Sequence, residues 1–416
     1  MLNLLRNAGW LGSAELVCRI LRLLTTVAVA RLLLPEDYGL AAMAITANEC
    51  VQMLSRHGVF SRLVQAPAAD LPWLTRTAYW LNWLQGAVLA VFQLLLAVAI
   101  GYLYQQPTLI LPIALLGLSH LLLPIGLVQA ALTVRDNRLN ISAQAETLQC
   151  AADVALTLTL ALAGYGFWAL VIPKVVVVPV WTAVFRYHQC WRISGRPTLH
   201  GWRSILRFSL PVTGVEVLTT LRQYGDYLLV GYALGSEALG IYYFAFNAGL
   251  GISLSLIGAL NRAFFPHLCH YSDRPEQLHR QFHHGLRLIA LITVPLIVLQ
   301  TATAPWLVPL IFGQQWLEAG ALPVLMLICL SALPRPFAEA VSQLLRAVGR
   351  PGLELYAGLV MTVLLLTAVA IALPWGITGV ALAVMLVHWL VLPVFCIWAL
   401  YRIGYRVGST LQPAVA

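Results

Sequence analysis

Leu33-Leu34-Pro35-Glu36-Asp37-Tyr38-Gly39-Leu40 has an echo further along this chain. Moved along by 201 positions it meets Leu234-Gly235-Ser236-Glu237-Ala238-Leu239-Gly240-Ile241, and the same offset lays Glu15 on Glu216 and Ala44 on Ala245. Fainter echoes follow in order. Leu111-Pro112 answers Leu322-Pro323, and Gln129 answers Gln343, each ahead of a basic turn. Short matches arise by chance one at a time. Matches that keep their order along both halves mark a duplicated segment.

What is duplicated is apolar. Of 416 residues, 60% are hydrophobic and 10% charged, with a mean hydropathy of +0.82. A soluble surface needs about 25% charged residues, so this composition cannot coat a water-soluble fold. It excludes disorder and coiled coil as well. The seven cysteines are odd in number and lack CxxC spacing, which argues against a disulfide frame or a zinc site. The reading is an all-α polytopic membrane protein.

Runs of about 20 mainly apolar residues, the length of a bilayer crossing, number twelve. They cover roughly 9–34, 38–58, 77–103, 108–134, 140–163, 166–185, 205–233, 238–264, 284–311, 319–346, 353–374 and 377–401 by that length rule. The first, seventh and tenth are the most polar. A cleavable leader is not indicated, because Glu15, Arg19 and Arg22 interrupt what should be an uncharged core.

Charge fixes the orientation. With the N-terminus in the cytoplasm, the inner segments and span ends hold Arg6, Arg56, Arg62, Arg76, Arg135, Arg138, Arg186, Arg192, Arg196, Arg203, Arg207, Arg274, Arg280, Arg287, Arg346, Arg350, Arg402 and Arg406. The outer loops, among them 35–37 and 234–237, hold no basic residue but do hold Glu36, Asp37, Glu237 and Glu318. That is the positive-inside pattern with both termini inside. It also makes nucleic acid a poor partner, because the basic residues sit in short islands rather than one stripe. The expected organisation is a six-helix lobe over 1–190, a basic cytoplasmic linker over 191–207 and a six-helix lobe over 208–416. Two like-oriented halves form a parallel repeat about the membrane normal, pseudo-symmetric around a central cavity that opens by alternating access.

Enzyme chemistry lacks a place. The outer loops are a few residues long, and no P-loop, H-E-x-x-H or Gly-rich phosphate fingerprint occurs. No cofactor is implied. His279 and His283 have the spacing of a helical ligand pair, with Glu276 one turn earlier, but two His and a carboxylate fall short of a closed metal site. A hydrated loop explains them, and no metal is expected. Trp73, Trp80, Trp83, Trp306 and Trp316 lie near span ends, where interfacial belts account for them.

Charges inside the spans carry the function, because each is costly in hydrocarbon and must face a bundle interior or a water-filled cavity. Arg19, Arg22, Lys174, Arg222, Arg262 and Arg335 form a cation set suited to an anionic substrate. Arginine's planar fork of donors fits phosphate. Glu15, Glu49, Asp153, Glu216, Asp226 and Glu339 are candidates for proton or sodium coupling. For each residue alone, pairing that merely holds helices together is an equal reading: Arg222 with Asp226 and Arg335 with Glu339 are one turn apart.

Several stretches resemble a known family: Ala30–Gly39, Arg222–Asp226 leading to Leu239-Gly240-Ile241-Tyr242, Phe312-Gly313-Gln314-Gln315-Trp316, and the Leu344–Gly352 turn. Over essentially its whole length the chain is similar to the polysaccharide and oligosaccharide-lipid exporters of the multidrug/oligosaccharidyl-lipid/polysaccharide flippase superfamily. The resemblance implies an ion-driven flippase. It would move a polyprenyl-pyrophosphate-linked glycan to the outer leaflet of a bacterial inner membrane, with glycan polymerase and export machinery as candidate partners. It also implies that spans beyond the twelfth are absent. Two rivals share the superfamily. A cation-coupled multidrug antiporter would need an acidic, aromatic cavity; a flippase for the peptidoglycan lipid precursor would share the pyrophosphate logic. A membrane glycan polymerase would need a large basic outer loop, and a non-transporting scaffold would leave the buried charges unexplained.

Overall fold

The computed structural model describes residues 2–54, 58–193, 201–271 and 274–403; the side chains of some helical residues, Arg262 among them, lie outside the described set. No strand occurs among the described residues. Helix is what a bilayer demands, since each helix satisfies its own backbone donors and acceptors. In order these are α1 (Leu2–Leu32), α2 (Pro35–Gln52), α3 (Gly58–Gln65), α4 (Leu71–Leu103), α5 (Ile110–Leu116), α6 (Ser119–Leu122), α7 (Pro124–Arg135), α8 (Leu139–Leu162), α9 (Trp168–Val176) and α10 (Val178–His188). Then follow α11 (Trp202–His270), α12 (Pro275–Leu307), α13 (Gln315–Glu318), α14 (Ala321–Ser331), α15 (Arg335–Ala347), α16 (Pro351–Ala372) and α17 (Gly376–Arg402).

Among the described residues, seven helical segments are long and apolar enough to cross a membrane, or eight if the bent pair Pro107–Leu122 and Pro124–Arg135 forms one span. The chain is a multi-pass membrane protein. Two of the segments, Thr213–Leu250 and Gly352–Arg402, run to 38 and 51 residues, where a single crossing takes about 20. Each is interrupted: α11 by Gly235 (φ 86°, ψ −177°), α16 and α17 by the turn at Leu373–Trp375. α1 and α2 fall outside the apolar set because Glu15, Arg19 and Arg22, and Glu36, Asp37 and Glu49, raise their charge.

The two copies of the repeated loop are tighter than the sequence suggests. Residues 35–37 form the first turn of α2, with Pro35 at its start, where proline's missing N–H costs nothing. Residues 234–237 contract to one non-helical glycine, Gly235, in a backbone region that side chains disfavour. Asp37 does a second job here. Its Oδ1 accepts the Phe167 N–H at 3.1 Å, which anchors the entry to α9.

The doubled stretch meets itself. A Cβ placed on Gly39 would collide with the Ser236 carbonyl, and one on Gly240 would collide with the Pro35 carbonyl and lie 2.9 Å from the Gly39 nitrogen. Pro35 and Ser236 are equivalent positions in the repeat, and so are Gly39 and Gly240. The contact is therefore reciprocal, as a local two-fold requires, and glycine is what lets the backbones touch. Tyr104 and Gln106, at the end of α4, tie into the same region: Tyr104 OH donates to Leu228 O at 2.8 Å, and Gln106 Nε2 to Ser236 Oγ at 3.3 Å.

The chain divides into two compact units, Met1–Gly240 and Ile241–Ala416. In the first, α1 packs along α8, which also contacts α9 and α10. One core cluster gathers Leu63, Leu74, Ala78, Val128 and Ala131 from α3, α4 and α7. Arg135 donates to the carbonyls of Leu63, Val64 and Ala66. An arginine thus closes the C-terminal end of α3, where the helix dipole favours a cation. The second unit centres on Phe264, Leu268, Phe282, Val341 and Leu344. Trp316 departs from the belt reading. It is fully buried and stacks on Phe244 at 3.8 Å, because the short α13 folds it under the turn before α14. Trp306, 71% exposed, fits a belt position.

Candidate functional site

α1 presents its charges in one row. Glu15 and Arg19 pair at 3.5 Å across one turn, both partly exposed, and Arg22 is exposed one turn on. Across from them on α8 stands Glu146, which interacts with Glu15 and Arg22. Close packing holds the two helices in register: the Cys150 thiol points at the Cys18 carbonyl (3.7 Å) and the Cys18 thiol at the Glu146 carbonyl (3.8 Å).

The part of α11 before Gly235 carries the second row. Glu216 is half-buried, Thr219, Arg222 and Gln223 are exposed, and Asp226 is buried at 4% exposure. The Asp226 carboxylate accepts the Tyr227 N–H at 3.0 Å. The row therefore runs from open to enclosed along the helix. All of these residues belong to the first unit.

Lys174 and Asp153 are brought together. The Lys174 ammonium donates to both Asp153 oxygens, at 2.7 and 3.0 Å, so its charge is spent within the α8–α9 pair. Removing one partner leaves the other charge unbalanced. That costs about 1 kcal/mol for an exposed pair and about 3–5 kcal/mol for a buried one. With side chains 42% and 17% exposed, this pair stands between. Lys174→Met is expected to lower the melting temperature of the detergent-purified protein by a few degrees, and adding Asp153→Leu to recover most of the loss. A double variant no more stable than the single one would show that the two charges act independently.

Glu49, on α2, is half-buried next to the buried Asn48. In the second unit Arg335 opens α15, just after a break in the helix at residues 332–334. Glu339 accepts the Asn261 amide at 3.1 Å, Asn261 itself being buried. The Arg262 side chain lies outside the described residues. Among the described residues no group of three or more His, Cys, Asp or Glu side chains could hold a metal ion; His279 and His283 stand with ring centres 4.7 Å apart.

One polar cluster was legible in the sequence but passed over. Gln93 and His120, 0% and 2% exposed, join Asn48 in the interior of the first unit. The signal was there: a glutamine and a histidine in the middle of runs otherwise made of Leu, Ile, Val and Ala.

Comparison with known proteins follows the same lines. Residues 28–321 match a family model described as polysaccharide biosynthesis protein. The lipopolysaccharide biosynthesis protein WzxC of Escherichia coli (strain K12) is 27% identical over 391 residues, covering 92% of this chain and 78% of the relative. The succinoglycan biosynthesis transport protein ExoT of Rhizobium meliloti (strain 1021) is 24% identical over 333 residues, covering 78% of this chain and 65% of the relative. Two solved structures share the fold. A multidrug resistance MATE family transporter of the MOP superfamily, inward-facing, superposes with a TM-score of 0.74 at 15% identity, over 93% of this chain and 94% of its own. The lipid II flippase MurJ, inward closed, gives 0.76 at 13% identity, over 95% and 87%. The helices, the self-matching repeat and the family match across residues 28–321 agree: this chain belongs to the polysaccharide biosynthesis protein family and shares its fold with those two transporters.

Proposed function

We propose that the chain is a flippase for a lipid-linked glycan, the polyprenyl-pyrophosphate-borne precursor of a surface polysaccharide. It is a transporter, not an enzyme, and works by alternating access. The observation that carries the reading is a pair of arginines, Arg22 and Arg222, left exposed on helices of a membrane protein in this family, with the half-buried Arg19 beside Arg22. An arginine facing hydrocarbon costs about 2.5 kcal/mol or more. Such a side chain therefore faces water and needs an anion, and a pyrophosphate supplies two phosphates for planar, bidentate recognition. Arg335 and Arg262 extend the candidate set. Lys174 contributes less, because Asp153 already balances it.

The proposal places the chain in the bacterial inner membrane with twelve crossings, both termini cytoplasmic, and lobes over 1–190 and 208–416 joined by the 191–207 linker. Export is coupled to a proton or sodium gradient, with Glu15, Glu49, Glu216, Asp226 and Glu339 as acids that could carry it. Glycan polymerase and export machinery are its candidate neighbours. What favours this over a drug antiporter is the sign of the exposed charge on α1 and α11.

The test is a deletion strain. Loss of the gene is expected to strand lipid-linked glycan on the cytoplasmic side and to strip the surface polysaccharide, both restored in trans. Unchanged surface glycan with new sensitivity to cationic drugs would move the protein to the antiporter reading. Stalled peptidoglycan precursor would move it to the other flippase class.

A further inference from the structure

The interior of the first unit holds a titratable group that glycan binding does not need. Between Pro107 and Arg135 the helix breaks, its two parts, Pro107–Leu122 and Pro124–Arg135, bending by 51°. His120 sits in the short α6 at this break, 2% exposed. Its Nε2 stands 2.6 Å from Gln93 Oε1. Gln93 commits both protons of its amide nitrogen elsewhere, to Asn48 Oδ1 at 3.1 Å and to the Ile113 carbonyl at 2.9 Å. The Gln93 oxygen must therefore face the ring, so Nε2 is the protonated nitrogen. A second proton goes to Nδ1.

The second unit also uses a buried glutamine, but among its described contacts this one joins α12 to a single helix, α11. Gln300, on α12, donates to the carbonyls of Ala248 and Gly249 and accepts from Ser253 Oγ at 2.6 Å. Gly249 occupies the place of Asn48 in the repeat, 201 positions on. A glutamine thus joins two helices there with backbone and hydroxyl partners. In the first unit the glutamine instead gathers three elements, and a histidine is one of its partners.

Beside His120 lies a small cavity, about 20 Å³, which is room for roughly one water molecule. Asn82, Gln85, Leu89, Pro124 and Leu127 line it with His120, and none of the lining residues is charged. The volume excludes a sugar or a lipid. The lining also disfavours a sodium ion, because no carboxylate is there to balance it. An imidazolium meets the same lack of a counter-charge, but unlike sodium it can shed its charge by giving up the proton. The elements packed around it turn uncharged groups inward: Asn82, Gln85 and Gln93 from α4, Asn48 from α2, and Thr182 of α10 against Gly126 of α7. Their charges lie elsewhere in the chain. Arg76 is in the second turn of α4, Arg135 closes α3, and Arg186 and His188 end α10. Half-buried Glu49, the neighbour of Asn48 on α2, is the adjoining acid.

We infer that His120 is a proton-carrying site of the transport cycle, loaded and emptied through the one-water cavity at the helix break, with Gln93 as its positioning residue. The word transport rests on the flippase reading; the proton site stands without it. The test compares the full-length wild-type chain with His120→Gln, whose amide can still donate to Gln93. Proton uptake by the detergent-purified proteins is titrated between about pH 5 and 8, where an imidazole changes charge. The expected difference is one proton per chain; no difference overturns the proposal. In the deletion strain, wild-type export should respond to external pH and collapse with a protonophore. His120→Gln at equal abundance should export about tenfold less or lower still, with no pH response. A His120→Gln profile that tracks wild type overturns the proposal, as does wild-type export that follows a sodium gradient and ignores the proton gradient. If the substituted protein does not accumulate, Gln93→Leu serves instead: it frees the ring and should shift the proton-uptake midpoint, and an unmoved midpoint overturns the proposal. A deletion strain with no glycan phenotype would fail the flippase reading alone, since the proton count is independent of it.

Discussion

Glutamine at Arg19, Arg22 and Arg222 together is expected to cut glycan export about a hundredfold or more, with the protein still folded and inserted. A hydrogen bond to a charged group is worth about 1.5–3 kcal/mol, and each 1.4 kcal/mol is tenfold. Three such bonds to one pyrophosphate exceed the hundredfold figure even when they overlap. Stability should change little, because Arg22 and Arg222 are exposed and Arg19 pairs only loosely with Glu15 at 3.5 Å. The measurement is surface polysaccharide per cell, normalised to membrane-inserted protein, in the complemented deletion strain. Single substitutions should rank Arg22 and Arg222 above Arg19, whose charge Glu15 already shares. Normal export by the triple variant would remove these arginines from the site. It would leave Arg262 and Arg335 as the cations to examine.

The second large effect is steric. Gly39→Val and Gly240→Val each put a side chain where the other copy of the repeat has a backbone carbonyl. Overpacking against movable side chains costs about 1–3 kcal/mol. Here the obstacle is main chain on both sides, so the contact between α2 and α11 cannot form as described. Either substitution should abolish the closure of these helix ends and, with it, most export. The closure is read directly by cross-linking. In a cysteine-free background, Gln106→Cys with Ser236→Cys occupies a pair whose polar atoms lie 3.3 Å apart. A short bifunctional reagent should join them efficiently in the otherwise unchanged chain, and about tenfold less when Gly39 is valine. The symmetric outcome for Gly240→Val follows from the reciprocal geometry. Equal cross-linking in all three backgrounds would show that the glycines fill space without holding the helix ends together.

What the sequence by itself determined is whatever depends on composition, order and sign. A chain with 10% charged residues has to dissolve in lipid, and lipid leaves helix as the economical fold. The arginine islands carry the expected orientation because charge does not cross readily, and the offset of the repeat follows from letters alone. The rows on α1 and α11 were also readable, because helical spacing puts every third and fourth residue on one face. Tertiary structure decided the rest, and it did so wherever the partner comes from far along the chain. No local rule could say that Lys174 is spent on Asp153, or that Trp316 stacks on Phe244 and leaves the interface. Nor could local order show that Gly39 and Gly240 lie on each other's carbonyl-bearing turns. His120 is the plainest case. In sequence it is one histidine in an apolar run. It becomes a candidate proton site only when the fold sets Gln93 against its ring, fixes Nε2 as the nitrogen that donates to it, and leaves a water-sized space alongside. Burial and hydrogen-bond geometry are properties of neighbours in space, and the sequence lists neighbours only along the chain.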